Sequence, residues 1–417
     1  MAIVKPFMGL RPAKEVAKDL ACLPYDVMNS QEAAKMAEGK ECSLLHITRA
    51  EIDCPEGTDI HSEMVYEKSV ENFKLSQEKG WLVQDDQAKF YIYAQTMEGR
   101  TQYGIVGAAS CEDYNNGIIK KHELTRPDKE EDRMILTRYL NANIEPVFFS
   151  YKAVPEIDEI VENIVKNQAA DYDFVAEEDG FGHQVWVINE PETNKRLEEL
   201  FATKVPATYV ADGHHRTAAA ARIGLEKKGQ NPNHTGDEEY NFFMAVHFPD
   251  NQLKIIDYNR VVKDLNGLTP EQLLERLNEV FEVECMGEAI YSPVKLHEFS
   301  MYLEGKWYKL NAKEGIYNDN DPIGVLDVTI LSDQVLDKML GIEDLRRSTR
   351  IDFVGGIRGL GELKKRVDRG DMKVAFALYP VSMQQLIDIA DTGNIMPPKT
   401  TWFEPKLRSG LVIHKLD

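Results

Sequence analysis

A short apolar strand that runs through a glycine into an alanine-rich helix is the feature that most constrains this chain. The segment reads Tyr-Val-Ala-Asp-Gly-His-His-Arg-Thr over residues 209–217 and continues as four alanines. Gly213 removes side-chain bulk where the turn is tight, and the first backbone N–H groups of a helix have no partner within it. Since the helix dipole adds partial positive charge at that end, the pattern predicts an anion-binding turn.

The side chains of this turn suit a phosphate group. His214, His215, Arg216 and Thr217 offer hydrogen-bond donors, and an arginine can bind phosphate through two parallel bonds. Asp212 could hold Mg²⁺ or orient one of the imidazoles. In the alternative interpretation Asp212 is an ordinary N-cap followed by exposed histidines. Five consecutive polar or glycine residues exceed what a cap requires, so we favour the anion site.

Composition narrows the class of ligand. The chain has 417 residues, 43% of them hydrophobic, and a formal net charge of −21, which opposes general binding to nucleic acid or to an anionic membrane. A small-molecule substrate fits better. The five cysteines are far apart with no CxxC pair, and neither a secretory signal nor a long apolar run is evident. We therefore expect a cytoplasmic protein without a disulfide framework or a zinc knuckle.

Alternating helix and strand patterns predict an α+β fold, and the length favours more than one domain. We expect an N-terminal α/β subdomain over 1–112, a catalytic core over 113–265 and a C-terminal α/β subdomain over 266–417. A hairpin is predicted from strands at 90–94 and 101–110, and Ser30 is predicted to cap a helix. Residues 227–239 read as a polar loop before an apolar strand at 242–248.

A second group of polar residues lies at 118–127, where His122 and Glu123 follow two lysines and precede Arg126. Glu123 could act as general base toward a substrate hydroxyl while the cations bind negative charge. A His-Glu dipeptide is also common as a solvated surface pair, so composition leaves both interpretations open.

Two further segments could contribute to a binding site. Residues 353–363 run from a strand through several glycines to a helix, but their spacing is wrong for a dinucleotide fingerprint, which favours a tight strand-to-helix turn. The tail at 396–412 carries Lys399, Lys406 and Arg408 among prolines and aromatics. It either contributes to a substrate site or closes a core.

Four ordered motifs resemble a widespread and poorly characterised bacterial family built on a domain of unknown function. They are Pro-Tyr-Asp-Val at 24–27, Lys-His-Glu-Leu-Thr at 121–125, Asp-Gly-His-His-Arg at 212–216 and the segment 403–412. Through the second and third motifs the chain also resembles the free L-serine kinases of the ParB/sulfiredoxin superfamily. Those enzymes phosphorylate the serine hydroxyl with ADP as the donor.

The resemblance implies a central ParB/sulfiredoxin-like unit in which Glu123, next to His122, is the catalytic base. It also implies that residues 212–217 hold the phosphates of ADP or ATP, with Mg²⁺ at Asp212. His214 stands where sulfiredoxins carry their reactive cysteine, which disfavours a sulfinic-acid reductase.

We therefore expect a kinase acting on the hydroxyl of a small metabolite such as a serine-like amino acid. The alternative is a non-catalytic regulator that binds a nucleotide or phosphometabolite. In either case the expected partners are small molecules rather than nucleic acid or membrane, and the oligomeric state stays open. Glu123 and Asp212 should face one cleft, because a base must reach its proton directly or through one water.

Overall fold

The mixed α and β architecture predicted from the sequence is present in the structure, a computed structural model that describes residues 1–417. The chain divides into two units, one formed by Met1–Leu253 with Pro405–Asp417 and the other by Lys254–Glu404. This division differs from the expected boundaries at 112 and 265. Strands from both sides of residue 112 belong to one sheet, and the last thirteen residues return to the first unit.

The helices vary from single turns to four turns or more. They are α1 Ala17–Leu20, α2 Ser30–Ala37, α3 Leu45–Thr48, α4 Glu63–Glu78, α5 Cys111–Asn115, α6 Pro127–Leu140, α7 Pro155–Asn167, α8 Pro191–Lys204, α9 His214–Gln230, α10 Pro270–Val280, α11 Asp327–Leu331, α12 Leu360–Asp368 and α13 Met383–Asp391. None of them combines the length and the apolar character that crossing a membrane requires.

The strands are mostly short. They are β1 Val4–Lys5, β2 Gly9–Pro12, β3 Leu82–Gln84, β4 Tyr91–Met97, β5 Arg100–Ser110, β6 Ile119–Lys120, β7 Ala142–Asn143, β8 Val147–Tyr151, β9 Tyr172–Val175, β10 Gly182–Val187, β11 Thr208–Asp212, β12 Phe242–Pro249, β13 Ile255–Ile256, β14 Tyr258–Val262, β15 Phe281–Gly287, β16 Glu298–Leu303, β17 Lys306–Ala312, β18 Ile351–Gly355, β19 Val374–Leu378, β20 Trp402–Phe403 and β21 Ile413–Lys415.

The first unit is built on a nine-stranded sheet in the order β6-β11-β8-β12-β5-β4-β10-β9, with β1 paired to β5. Every residue of β8 and β12 is buried, which matches their nearly unbroken apolar sequences. Helices α7 and α8 cover one face, where Ile157, Leu197 and Phe201 pack with Phe90 and Ile92. A smaller sheet in the order β3-β2-β21-β7 brings the end of the chain back to this unit.

The pairing of β6 with β11 positions the polar motifs. These strands are parallel, with Ile119 opposite Thr208 and Lys120 opposite Tyr209. The residues that follow both strands therefore emerge at the same edge of the sheet. An irregularity between Val210 and Asp212 shifts the register of β11 against β8 just before the strand ends.

The second unit contains a six-stranded sheet in the order β15-β17-β16-β19-β14-β18, in which all neighbours are antiparallel. Its core buries Trp307, Tyr302 and Leu363 together with Val261. Strands β13 and β20 form a separate two-stranded pair.

Several local predictions are confirmed and two are wrong in detail. The predicted hairpin is present as β4 and β5. Helix α2 is capped by Asn29 rather than Ser30, because the Asn29 side chain accepts the Glu32 N–H and the Glu32 side chain accepts the Asn29 N–H. Helix α9 continues through Gln230, so the polar loop begins four residues later than the predicted start at 227.

Candidate functional site

The N-terminus of α9 is an uncapped helix end. Its N-cap is Gly213 at φ 93°, no side chain caps it, and its first turn contains no acidic residue. A Cβ at this position would lie 3.3 Å from both Arg216 Nη2 and Val147 Cγ1. Glycine is thus required by the backbone conformation and by the close approach of the arginine. The interpretation of Asp212 as an ordinary N-cap is wrong.

Asp212 instead holds the turn and a distant cation. Its Oδ1 accepts the Gly213 N–H at 2.8 Å, and its Oδ2 accepts a hydrogen bond from Lys406 Nζ at 2.9 Å. Burial alone would raise the pKa of Asp212, but the Lys406 ammonium and the Arg216 guanidinium outweigh burial and lower it. The carboxylate is therefore ionised at neutral pH, with both oxygens already engaged.

The side chains of Arg216 and Thr217 both donate to backbone carbonyls near the turn. Arg216 Nη1 donates to the Pro146 carbonyl at 2.5 Å, and Thr217 Oγ1 donates to the Gly213 carbonyl at 3.0 Å. Burial alone would lower the pKa of Arg216, yet nearby carboxylates, Asp26 first among them, raise it. The guanidinium therefore stays charged close to the helix end. The Thr217 hydroxyl already donates its proton to the Gly213 carbonyl, so it is not free to donate to a ligand.

His122 and Glu123 emerge from β6 beside the same helix end. The rings of His122 and His214 meet edge to face with centroids 4.6 Å apart, and His214 Nδ1 lies 3.8 Å from Glu123 Oε2. Burial lowers the pKa of His122 to about 4 and that of His214 well below its usual value, to which His122 also contributes. Both imidazoles are therefore neutral at pH 7, while the Glu123 side chain is 44% exposed.

His214 connects the two motifs that the sequence suggested. It approaches Glu123, and its imidazole also interacts electrostatically with Asp212. The structure thus brings Glu123, His122 and the turn at 212–216 to one edge of the sheet.

The remaining candidate residues have different environments. His215 Nε2 accepts the Arg126 backbone N–H at 3.1 Å, while the exposed Arg126 guanidinium pairs with Asp128 at 2.7 Å. Burial lowers the pKa of His215. Lys399 belongs to the second unit, where its ammonium lies 5.5 Å from the centre of the Tyr258 ring.

Arg408 lies in a separate buried cluster of the first unit. Only 2% exposed, it donates from Nη2 to Asp179 at 2.7 Å, and its backbone N–H donates to the Tyr93 hydroxyl at 3.1 Å. Tyr93 in turn contacts His183 Nδ1 at 2.8 Å. These bonds anchor the segment that carries Lys406, so Arg408 positions its neighbour in the chain.

Sequence reasoning missed Gln95, whose Nε2 donates to the Lys406 carbonyl at 3.0 Å and fixes the path of the tail. The available signal was a glutamine within a mostly apolar and aromatic strand sequence, and the structure buries it fully. It also missed Glu145 and Pro146, which precede β8 and contact other parts of the site. No group of three or more His, Cys, Asp and Glu side chains is arranged to hold a metal ion.

Comparisons with known proteins give one family and several distant structural similarities. A family model described as "Protein of unknown function (DUF1015)" matches residues 4–329. A search of curated proteins finds no significant match.

Among solved structures, free serine kinase in complex with AMP has 13% identity and a TM-score of 0.33, covering 74% of this chain and 91% of the other. SbnI with a C-terminal truncation, from Staphylococcus aureus, has 10% identity and a TM-score of 0.39, covering 73% and 85%. A conserved hypothetical protein from Pyrococcus furiosus has 15% identity and a TM-score of 0.32, covering 72% and 90%.

Proposed function

The chain belongs to the DUF1015 family of proteins of unknown function, and we propose that it is a phosphotransferase acting on the hydroxyl of a small metabolite. A serine-like amino acid is the proposed acceptor, and a nucleotide is the proposed donor. The observation that carries this proposal is the uncapped N-terminus of α9, which has cations beside it and a separate, partly exposed carboxylate at the same edge. The β6, β11 and α9 region would form the ParB/sulfiredoxin-like part of the fold.

The donor phosphates would bind at the start of α9. The backbone N–H groups of His214, His215 and Arg216 are the donors that a helix leaves without internal partners, and the helix dipole favours negative charge there. Lys406 and Arg216 add two positive charges near the turn. Because His214 and His215 are neutral, they would contribute hydrogen bonds rather than charge.

Glu123 is the proposed general base. Its carboxylate is partly exposed and lies 3.8 Å from the imidazole of His214, the first residue of α9. In the proposed reaction Glu123 accepts the proton of the substrate hydroxyl while the hydroxyl oxygen bonds to the terminal phosphorus of the donor. The bond from that phosphorus to the bridging oxygen breaks, and the shortened nucleotide leaves with the electron pair.

Magnesium commonly accompanies nucleotide phosphates, held by one or two carboxylates together with phosphate oxygens and water. Asp212 does not fit as its direct ligand, because the Lys406 ammonium bound at one oxygen would repel a metal ion and the Gly213 N–H binds the other oxygen. We therefore derive no step through a metal at Asp212, whose role in the proposal is to fix the turn and the lysine.

The test is phosphoryl transfer from ADP and from ATP to L-serine, measured for wild type and Glu123→Gln together with ADP affinity by calorimetry. Loss of a general base should lower turnover by about 10²–10⁴-fold while ADP affinity changes little. Glu112→Gln is the matched control, since Glu112 is an exposed glutamate at the start of α5.

Two other results would contradict the proposal. Nucleotide binding without turnover by wild type toward any hydroxylated amino acid would favour the non-catalytic regulator. Equal turnover by wild type and Glu123→Gln would exclude Glu123 as the base.

A further inference from the structure

The Pro-Tyr-Asp-Val motif at 24–27 has no role in the reaction described so far, yet the structure holds it firmly. Residues Tyr25–Val27 form one 3₁₀ turn. Arg49 Nη1 donates to the carbonyls of Tyr25 and Met28 at 2.8 and 2.9 Å, and the Tyr25 N–H donates to Glu145 Oε1 at 3.0 Å. The backbone on both sides of Asp26 is therefore fixed by charged side chains.

A buried ion network supports the same turn. The Arg133 guanidinium lies 3.8 Å from the centre of the Tyr25 ring and pairs with Asp132 at 2.6 Å and Glu145 at 3.4 Å. Arg133, Asp132 and Glu145 are each at most 9% exposed. Burying such a network is costly, because each ion loses its hydration and only well-placed partners repay that loss.

The network also joins the motif to the proposed phosphate site. Glu145 binds the motif, and the next residue, Pro146, accepts the hydrogen bond from Arg216 in the first turn of α9. Asp26 itself interacts electrostatically with both Arg216 and His215. The turn thus places the Asp26 carboxylate within electrostatic range of the first turn of α9.

Asp26 differs from Asp212 in having open oxygens. Its side chain is exposed and makes no hydrogen bond or ion pair, whereas Asp212 binds Lys406 and the Gly213 N–H. The same helix end carries a buried polar atom without a hydrogen-bond partner, the Nε2 of His214, whose residue is only 5% exposed. An unpaired carboxylate next to a phosphate site is repulsive unless a cation lies between them.

We propose that Asp26 binds a divalent cation that enters with the nucleotide phosphates. One carboxylate, phosphate oxygens and water are sufficient ligands for magnesium, so no preformed cluster of protein ligands is required. The inference rests on the proposed function, since the phosphates complete the site. It transfers the metal role from Asp212 to the Pro-Tyr-Asp-Val motif.

The test uses Mn²⁺ as the probe, because its EPR signal reports free and bound metal directly. Wild type, Asp26→Asn and the control Asp19→Asn, an exposed aspartate on α1, are titrated with Mn²⁺ in the presence and absence of ADP. We expect ADP-dependent Mn²⁺ binding and an ADP affinity that rises about tenfold or more with Mn²⁺ for wild type and Asp19→Asn. Asp26→Asn should lose both effects, while its metal-free ADP affinity should equal or exceed that of wild type because the repulsive carboxylate is gone. Asp26→Glu should recover part of both effects.

Three outcomes would overturn the inference and separate it from the proposed function. Full Mn²⁺ dependence in Asp26→Asn with an unchanged melting temperature excludes Asp26 as a ligand. Loss of L-serine binding with intact Mn²⁺ binding assigns Asp26 to a substrate ammonium instead. Absence of any ADP binding by wild type, with or without Mn²⁺, defeats the proposed function itself and this inference with it.

Discussion

The chain contains two strand–glycine–helix junctions, and only one of them has the surroundings of an anion site. In the first unit β11 leads through Gly213 into α9, and in the second unit β18 leads through residues 356–359 into α12. Both helices have a glycine N-cap with positive φ and no capping side chain. The backbone motif alone therefore does not distinguish them.

The difference lies in the charges around each helix end. The first turn of α9 has no acidic residue and contains Arg216, and Lys406 binds the adjacent Asp212. The first turn of α12 contains Glu362, which accepts a hydrogen bond from Arg366 at 3.0 Å and places negative charge at the positive end of the dipole. A helix N-terminus is a candidate anion site only where no acidic side chain of its first turn already offsets the partial positive charge of the helix dipole.

The glycines also serve different purposes. Gly355 is needed because a Cβ there would lie 2.9 Å from Trp402 Cε3, so it permits packing, and Gly361 has no neighbour within 4 Å. Gly213 combines a positive φ with the close approach of Arg216. The second junction is thus a packed turn, as its glycine spacing predicted.

Replacing one glycine at each junction, the N-cap Gly213 of α9 and Gly361 within the first turn of α12, should have the largest effect. Gly213→Ala forces a side chain into a left-handed conformation and toward Arg216, which we expect to cost about 1–3 kcal/mol and to weaken ADP binding between about tenfold and a hundredfold. Gly361→Ala should leave ADP binding unchanged and stabilise α12 by up to about 1 kcal/mol. Calorimetric ADP titration and urea unfolding measure both. If both substitutions changed ADP affinity equally, the proposal that only the α9 junction binds phosphate would be contradicted.

Lowering the pH should destabilise the β11–α9 junction more than the β18–α12 junction. Burial lowers the pKa of His122 to about 4, below its unfolded value, so the unfolded chain binds the proton first as pH falls. The stability from neutral His122 is present above about pH 6.5 and is lost toward pH 4, on the order of 1–3 kcal/mol. Hydrogen exchange at pH 7 and 4.5, corrected for intrinsic rates, should show greater loss of protection in α9 than in α12. His122→Gln should reduce this difference, and an unchanged difference would contradict the assignment.

Replacing one lysine at each junction should produce a smaller difference in stability and ADP affinity than the glycine substitutions. Lys406→Met leaves the Asp212 carboxylate without its ammonium partner, which we expect to cost about 1–2 kcal/mol and to weaken ADP binding by about tenfold. Lys365 makes only an exposed ion pair with Glu362 at 3.9 Å, so Lys365→Met should change stability by less than about 0.5 kcal/mol. Urea unfolding and ADP titration provide the measurements. A Lys406→Met protein with wild-type affinity would show that the tail does not contribute to the site.

An acidic residue in the first turn of α9 would give this helix the charge pattern of α12. His215→Glu places an acid in the first turn of α9, which should stabilise the helix by about 0.3–1 kcal/mol while lowering ADP affinity. The new carboxylate can still accept the Arg126 N–H that His215 accepts. Thermal unfolding and calorimetry should therefore move in opposite directions, and an increase in ADP affinity would contradict the anion site.

The secondary structure around both junctions was largely predictable from short sequence patterns. The strand–glycine–helix order at 208–230 follows from an apolar run, a glycine and an alanine-rich segment, and it is confirmed by β11 and α9. Capping chemistry also accounts for the start of α10, where the Thr269 side chain accepts the Gln272 N–H and Pro270 is the first helical residue. At α2 the same rule selected the wrong neighbour, since Asn29 and Ser30 are both good caps and the reciprocal bond with Glu32 decides.

Long-range contacts were not predictable in the same way. Lys406 reaches Asp212 across 194 positions, and the tail that carries it is fixed by Gln95 and Tyr93. Residues 396–412 read as one segment, yet the boundary between the two units falls at Glu404 and Pro405. No periodicity or turn signal encodes such pairings, because they depend on which strands of the sheet become neighbours.

The central claim is tested most directly by a crystal structure of the protein with ADP. The account predicts phosphate oxygens within hydrogen-bond distance of the backbone N–H groups of His214, His215 and Arg216, on the side where Glu123 emerges from β6. A nucleotide bound elsewhere, with the N-terminus of α9 occupied only by water, would contradict it.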